Sequence, residues 1–294
     1  MQGIVYALVT GSLIGLIYAV TALSFVFVYR ASGIFNFAQG GLIVFGGYLV
    51  WWISESLRLG AWTGITLATG LAFLIGLGIE RVVFRPLVAQ PILSHVMATL
   101  GLLFVLQGIP LLIWGAEPRE FPQVVMGPSV RIGALILSRP LVVDGLIALA
   151  LIVLVWQFLE RTNWGLRLTS VAESHSVAQS VGVSVERAIG LSWGVACVLS
   201  TWSAVFLLDG RGLVFHISEV GLRVLVLPLL SGLESVPGLI LSGILIGGTE
   251  QLAAAYLDPF TEGAASRVFP YVLMLVALLV RPEGLFGWRR IERV

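Results

Sequence analysis

The sequence contains no lysine: all 17 of its basic side chains are arginine. A phosphate-binding P-loop needs a Gly-Lys-Ser/Thr step whose lysine reaches the β- and γ-phosphates. This chain therefore cannot hold one, and if ATP drives its work, another polypeptide must hydrolyse it. Charge of either sign is scarce: Asp, Glu, Lys and Arg make up 11% of the 294 residues, against about a quarter in a soluble domain. One cysteine, Cys197, excludes an internal disulfide and, lying in an apolar run, reads as a small buried hydrophobe. No Lys or Arg precedes the first apolar run. A cleaved leader wants positive charge there, so this segment is expected to be a retained span. Catalytic signatures are also missing. There is no His-Glu-x-x-His and no paired Asp; His175 and His216 fall in connections, and His95 has no nucleophile beside it. The chain is expected to be no enzyme and to hold no cofactor or metal.

What the sequence has in quantity is apolar length. Hydrophobic residues make up 58%, and the mean hydropathy is +1.00. A membrane crossing needs roughly 20 mostly apolar residues. About nine segments qualify or nearly so: 4–28, 36–56, 61–79, 93–114, 142–160, 188–209, 219–233, 236–257 and 267–281. The fold class read from this is an all-α polytopic membrane protein, residues 1–294 forming one transmembrane domain. The seventh and ninth segments are short. The seventh reads as re-entrant or broken, a form tolerated where protein or a cavity covers the backbone. Alternating the spans collects Arg30, Arg81, Arg85, Arg161, Arg167, Arg187, Arg281, Arg289, Arg290 and Arg293 on one side. The smaller set, Arg58, Arg119, Arg131, Arg139, Arg211 and Arg267, falls on the other. Arginine-rich connections stay cytoplasmic, which puts the N-terminus outside and the C-terminus inside.

Four features stand out along this frame. Residues 161–187 form a charged cytoplasmic stretch between the fifth and sixth spans, with Arg161, Arg167, Glu173, Glu186 and Arg187. Its middle, Ser170 to Val181, has no Gly or Pro and carries small or apolar residues at helical spacing. It predicts a short surface helix, capped by Asn163 or Ser170 and ended by Gly182, suited to docking or to transmitting force; a loop with one helical turn is the plainer alternative. Gly11-x-x-x-Gly15 permits close approach of a neighbouring helix. Polar residues inside the spans must find partners. Asn36 is placed to cap the second span, and Gln39, one turn in, reaches either a neighbouring helix or a solute; Thr99 and Gln107 punctuate the fourth span. Arg223 and Glu250 fall at similar depth on antiparallel segments joined by the turn 231–238. A lone charge at mid-bilayer costs at least about 2.5 kcal/mol, so the two are expected to form an ion pair that either braces the hairpin or lines a path. The outer loop 115–141, with four prolines, offers a contact surface for an extracytoplasmic partner.

The motifs Phe35-Asn-Phe-Ala-Gln-Gly40, Ala98-Thr-Leu-Gly101 followed by Gln107, Leu230-Ser-Gly-Leu-Glu-Ser-Val-Pro-Gly238 and Arg281-Pro-Glu-Gly-Leu-Phe-Gly287 together resemble the branched-chain amino acid ABC importer permeases, specifically the LivH-like subunit. The resemblance runs from the first span to the C-terminus. It implies the fold of an ABC importer permease domain in a bacterial inner membrane. It also implies four kinds of partner: a second, LivM-like permease subunit, two ATPase subunits carrying ATP and Mg, an extracytoplasmic substrate-binding protein, and membrane lipid; no nucleic acid is expected. Ala172, Glu173, Ala178 and Gly182 would then belong to the loop that docks on an ATPase. The solute would be a branched-chain or other small amino acid, or urea or an amide. Val183 and Glu234 depart from the family's usual residues, the second putting the geometry of its turn in question. The competing reading is a stand-alone secondary transporter or channel for a small polar solute. That class usually carries ionisable residues at the midplane, and Glu250 is the strong candidate here, with Arg223 as its expected partner.

Overall fold

The computed structural model describes residues 2–87, 90–133, 135–173, 175–180, 182–233 and 235–286. Val181, Glu234, Gly287, Arg289, Arg290 and Arg293, invoked above, lie outside the described residues. The chain is helical almost throughout. The helices in order are α1 (Gln2–Ser32), α2 (Gln39–Trp51), α3 (Ala61–Ile79), α4 (Ile92–Trp114), α5 (Arg139–Arg161), α6 (Asn163–Glu173) and α7 (His175–Ser180), followed by α8 (Val185–Leu208), α9 (Ser218–Val224), α10 (Val226–Ser231), α11 (Val236–Tyr256), α12 (Asp258–Thr261) and α13 (Ala264–Val280). Among the described residues, six helices are long and apolar enough to cross a bilayer: α1, α3 with its extension to Leu87, α4, α5, α8 and α11. The other three expected spans take different forms. The second is α2 continued by a π-helical turn, Trp52–Ser56. The seventh is broken into α9 and α10 at Leu225. The ninth is α13, 17 residues long with Pro270 inside it.

The chain divides into two compact units. One comprises residues 23–126 and 153–222. Its core joins α2, α3 and α8 through Ile43, Tyr48, Ile65, Val205 and Leu208. Glycines let these helices meet at backbone distance: a Cβ on Gly76 would lie 2.7 Å from the Cα of Gly194, and one on Gly46 2.8 Å from the Cα of Thr201. At one end, Tyr48 stacks on Trp114 at 5.6 Å, Trp51 meets Trp114 edge-on, and the Arg119 guanidinium sits 5.2 Å over Trp51. Amphipathic rings such as Tyr and Trp are frequent at membrane–water boundaries. The loop beyond contains a short strand. Strand β1 (Arg119–Glu120) pairs antiparallel with β4 (Gly212–Leu213), and the Asp209 carboxylate accepts hydrogen bonds from the backbone N–H groups of Val124 (2.6 Å) and Val125 (3.1 Å).

The other unit comprises residues 1–22, 127–152 and 223–294. Its central contact is α1 on α11. Gly11 and Gly15 face Gly243 and Gly247 so closely that a Cβ on any of the four would overlap backbone of the opposite helix. The first motif was visible in the sequence; its partner, Gly243-x-x-x-Gly247, was not singled out. A hairpin of β2 (Val130–Ile132) and β3 (Leu135–Leu137) lies in the stretch read as outer loop. Ser235 caps α11, its hydroxyl accepting from the N–H of Gly238 at 3.1 Å. The C-terminal segment folds back on the turn before α11: the N–H of Leu285 donates to the carbonyl of Leu230 at 2.8 Å, and a Cβ on Gly284 would lie 2.6 Å from the nitrogen of Gly232. The described parts of two motifs distant in sequence, 230–233 and 281–286, thus pack on one another.

Candidate functional site

The charged stretch between α5 and α8 forms two helices, α6 and α7, rather than the one short helix expected. The reversal from α5 is tight: a Cβ on Gly165 would overlap the carbonyl of Leu159. Thr162, not Asn163 or Ser170, caps α6, its hydroxyl oxygen accepting from the N–H of Gly165 at 3.4 Å. Asn163 is already inside the helix. Ser170 is mid-helix and donates its hydroxyl back to Leu166 at 2.8 Å, so neither is free to cap. Ala172 and Glu173 are the last residues but one and the last of α6 by backbone. Ala178 on α7 is buried. Gly182 ends α7 as expected: its φ is +83°, and Val183 N–H reaches back to the carbonyl of Ala178 at 2.9 Å. This left-handed stop places α8 directly after. An ion pair, Arg85 with Glu186, joins the connection after α3 to the first turn of α8.

Inside the first-described unit, Asn36, Gln39, Thr99 and Gln107 divide. Asn36 is 1% exposed and its Oδ1 accepts from the N–H of Ala38 at 3.0 Å. It therefore holds an Asx turn before α2 instead of the formal cap, a position Ala38 occupies. Gln39 is fully buried and its Nε2 donates to Ser200 Oγ on α8 at 2.9 Å; it reaches a neighbouring helix. Thr99 is buried, donates to the carbonyl of Val96 at 2.8 Å, and lines a cavity of ≈ 280 Å³ together with Phe35, Phe84, His95, Ile189 and Trp193. His95 satisfies its Nδ1 on the Pro91 carbonyl at 3.2 Å. Because a carbonyl only accepts, Nδ1 carries the proton of that bond. Gln107 is half-buried.

In the other unit, Arg223 Nη1 donates to Glu250 Oε1 at 2.8 Å, with side chains 22% and 8% exposed. The Tyr18 hydroxyl on α1 donates to the same oxygen at 3.4 Å. The pair thus ties α9 to α11, and the tyrosine ties both to α1. Tyr18 was missed from the sequence, since an aromatic residue in an apolar run carries no signal of a polar role.

This arrangement can be set beside known proteins. A family model described as the permease component of the branched-chain amino acid transport system matches residues 7–278. The chain belongs to that permease family. Its similarity to individual members spans nearly the whole chain. It is 27% identical to the high-affinity branched-chain amino acid transport system permease protein LivH of Escherichia coli K12 over 299 residues, covering 97% of this chain and 96% of that one. It is 24% identical over 306 residues to the permease protein BraD of Pseudomonas aeruginosa, with 98% and 97% covered. Among solved structures, PsaBC of Streptococcus pneumoniae in complex with Fab aligns with a TM-score of 0.51 at 13% identity, over 96% of this chain and 93% of that one; the likeness is one of fold. A multi-pass membrane permease of the branched-chain amino acid transport type accounts for the apolar helices and the glycine-packed helix pairs. As permeases, its relatives are transport components, not enzymes.

Proposed function

We propose that this permease is the membrane subunit of an ATP-driven importer, carrying a branched-chain amino acid inward across a bacterial inner membrane, N-terminus outside and C-terminus in the cytoplasm. The observation that carries the reading is a pair of short helices, α6 and α7, suspended between two spanning helices in a family member that contains no lysine and hence no P-loop. The partners are a LivM-like second permease subunit, two ATPase subunits that bind ATP and Mg, and an extracytoplasmic binding protein. Closure of the ATPases presses on α6–α7 around Ala172, Glu173, Ala178 and Gly182. The rigid reversal at Gly165 and the stop at Gly182 pass that displacement to α5 and α8. Docking by itself shifts nothing; the ATPases must bind one conformation of the permease more tightly than the other. Arg223 and Glu250 brace α9 against α11 during the motion.

The test is to scramble residues 172–182 in the assembled transporter. Uptake of leucine into proteoliposomes is expected to stop while membrane insertion and ATPase-free folding, read by size-exclusion profile, stay intact. Uptake that continues unchanged sinks the reading.

A further inference from the structure

Two buried amides at the start of α2 have their orientations dictated by their partners. Asn36 Oδ1 faces the N–H of Ala38, which can only donate, so Asn36 presents its Nδ2 elsewhere. Ser200 spends its one hydroxyl proton on the carbonyl of Ala196, at 2.6 Å. Toward Gln39 it can only accept, so Gln39 must offer Nε2 there and turn Oε1 away. The two remaining atoms, Asn36 Nδ2 and Gln39 Oε1, have no hydrogen-bond partner among the described residues, although the residues are 1% and 0% exposed. A buried polar atom left unpaired is costly, and such atoms call for an explanation. Here they form a complementary set three residues apart: one free donor and one free acceptor, with no formal charge.

One side of this segment packs on a broken helix. The next residue, Gly40, lies against α9: a Cβ on Gly40 would overlap the carbonyl of Ser218, and one on Gly221 would overlap the nitrogen of Gly40. α9 is the first half of the broken seventh segment, and discontinuous helices border solute sites in other transporters. Phe35, next to Asn36 in the chain, lines the ≈ 280 Å³ cavity, whose walls are largely apolar, with Val28, Ile34, Phe84, Ile189 and Trp193 among them.

We propose that Asn36 Nδ2 and Gln39 Oε1 form a subsite for a solute head bearing an acceptor beside a donor, closed in this structure by the Gly40–Gly221 contact. In an α-amino acid the carboxylate accepts from Asn36 and the ammonium donates to Gln39; in a primary amide the carbonyl and NH₂ do the same. The aliphatic side chain leaves through the cavity beyond Phe35. This rests on the importer reading for its solute and adds which atoms hold it.

The experiment measures equilibrium binding of radiolabelled leucine, with isovaleramide as competitor, to the purified transporter without its binding protein. Wild type is compared with Asn36→Asp, which keeps the Asx turn and replaces the free donor by a carboxylate oxygen, and with Gln39→Met, which keeps the volume and removes the acceptor. Size-exclusion profile and Tm report that each variant is folded. Asn36→Asp is expected to weaken leucine at least tenfold and isovaleramide less, since the new charge repels a carboxylate but not an amide; Gln39→Met is expected to weaken both. Displacement of leucine by isovaleramide at comparable concentration assigns the head as amide-like, and failure to displace assigns it as zwitterionic. Folded variants that bind both solutes as wild type does overturn the subsite. Leucine uptake by wild type in the same preparation keeps the importer reading separate: uptake with unaffected variants overturns the subsite alone, and a wild type that neither takes up leucine nor binds either solute overturns both.

Discussion

Removing one member of the Arg223–Glu250 pair is expected to cost far more than removing both. The bond is 2.8 Å long between side chains 22% and 8% exposed. Two opposite charges about 4 Å apart attract by about 4 kcal/mol at the effective dielectric of a partly buried protein site. Glu250→Gln removes that attraction and leaves the guanidinium within apolar helices, for a loss of about 3–5 kcal/mol, the usual cost of breaking a buried pair from one side. Adding Arg223→Met removes the stranded charge and refills much of its volume, and exchanging a buried pair for apolar groups is often neutral. The double variant should therefore lie within about 1–2 kcal/mol of wild type, a coupling of at least about 2 kcal/mol. Tyr18→Phe is the internal control: a 3.4 Å bond is long for an O–H donor, and its loss should cost no more than about 1 kcal/mol. The assay is thermal unfolding of the purified full chain in detergent, followed by tryptophan fluorescence. A shift of roughly 2–4 °C per kcal/mol makes the single variant's loss readable. A double variant destabilised by the sum of the two singles would refute the reasoning, because independent costs mean the charges do not compensate one another.

Two further outcomes follow from the second unit. Gly247→Leu should lower the Tm by several degrees, since its Cβ would overlap the Gly11 carbonyl and sit 2.7 Å from the Gly15 nitrogen, whereas Gly248→Ala, whose Cβ would meet only Leu8 at 3.5 Å, should be nearly silent; overpacking of this kind costs about 1–3 kcal/mol, and equal Tm values would refute the helix contact. Hydrogen bonds from Ser266, including its N–H at 2.9 Å, hold the Asp258 carboxyl below the usual carboxylate range. The depressed value means the carboxylate's contribution through these hydrogen bonds is fully present above the unfolded value of about 3.9 and is lost as pH falls through the lower folded value. Hydrogen exchange at the Ser266 amide should therefore stay protected at about pH 4 and open only at more acidic pH, and opening in step with an unperturbed aspartate would refute the bond.

Much of this protein was legible in one dimension because a bilayer imposes one-dimensional rules. A crossing needs length and apolarity, so α1, α3, α4, α5, α8 and α11 announce themselves in the sequence, and the weak seventh segment announces its break. Charge inside such segments must be paired, and Arg223 and Glu250 had few alternatives to one another. The absence of lysine excluded a P-loop with no structure at all. Tertiary structure decided what depends on which faces meet. The partner of Gly11 and Gly15 could not be read, because small residues are common along membrane helices and only packing selects Gly243 and Gly247. Thr162 displaced Asn163 and Ser170 as the cap because α5 runs to Arg161 and turns at once. Tyr18 and Ser200 acquired polar roles through neighbours far away in the chain. The directions of the Asn36 and Gln39 amides follow from hydrogen-bond partners, a property of the folded network that no residue carries by itself.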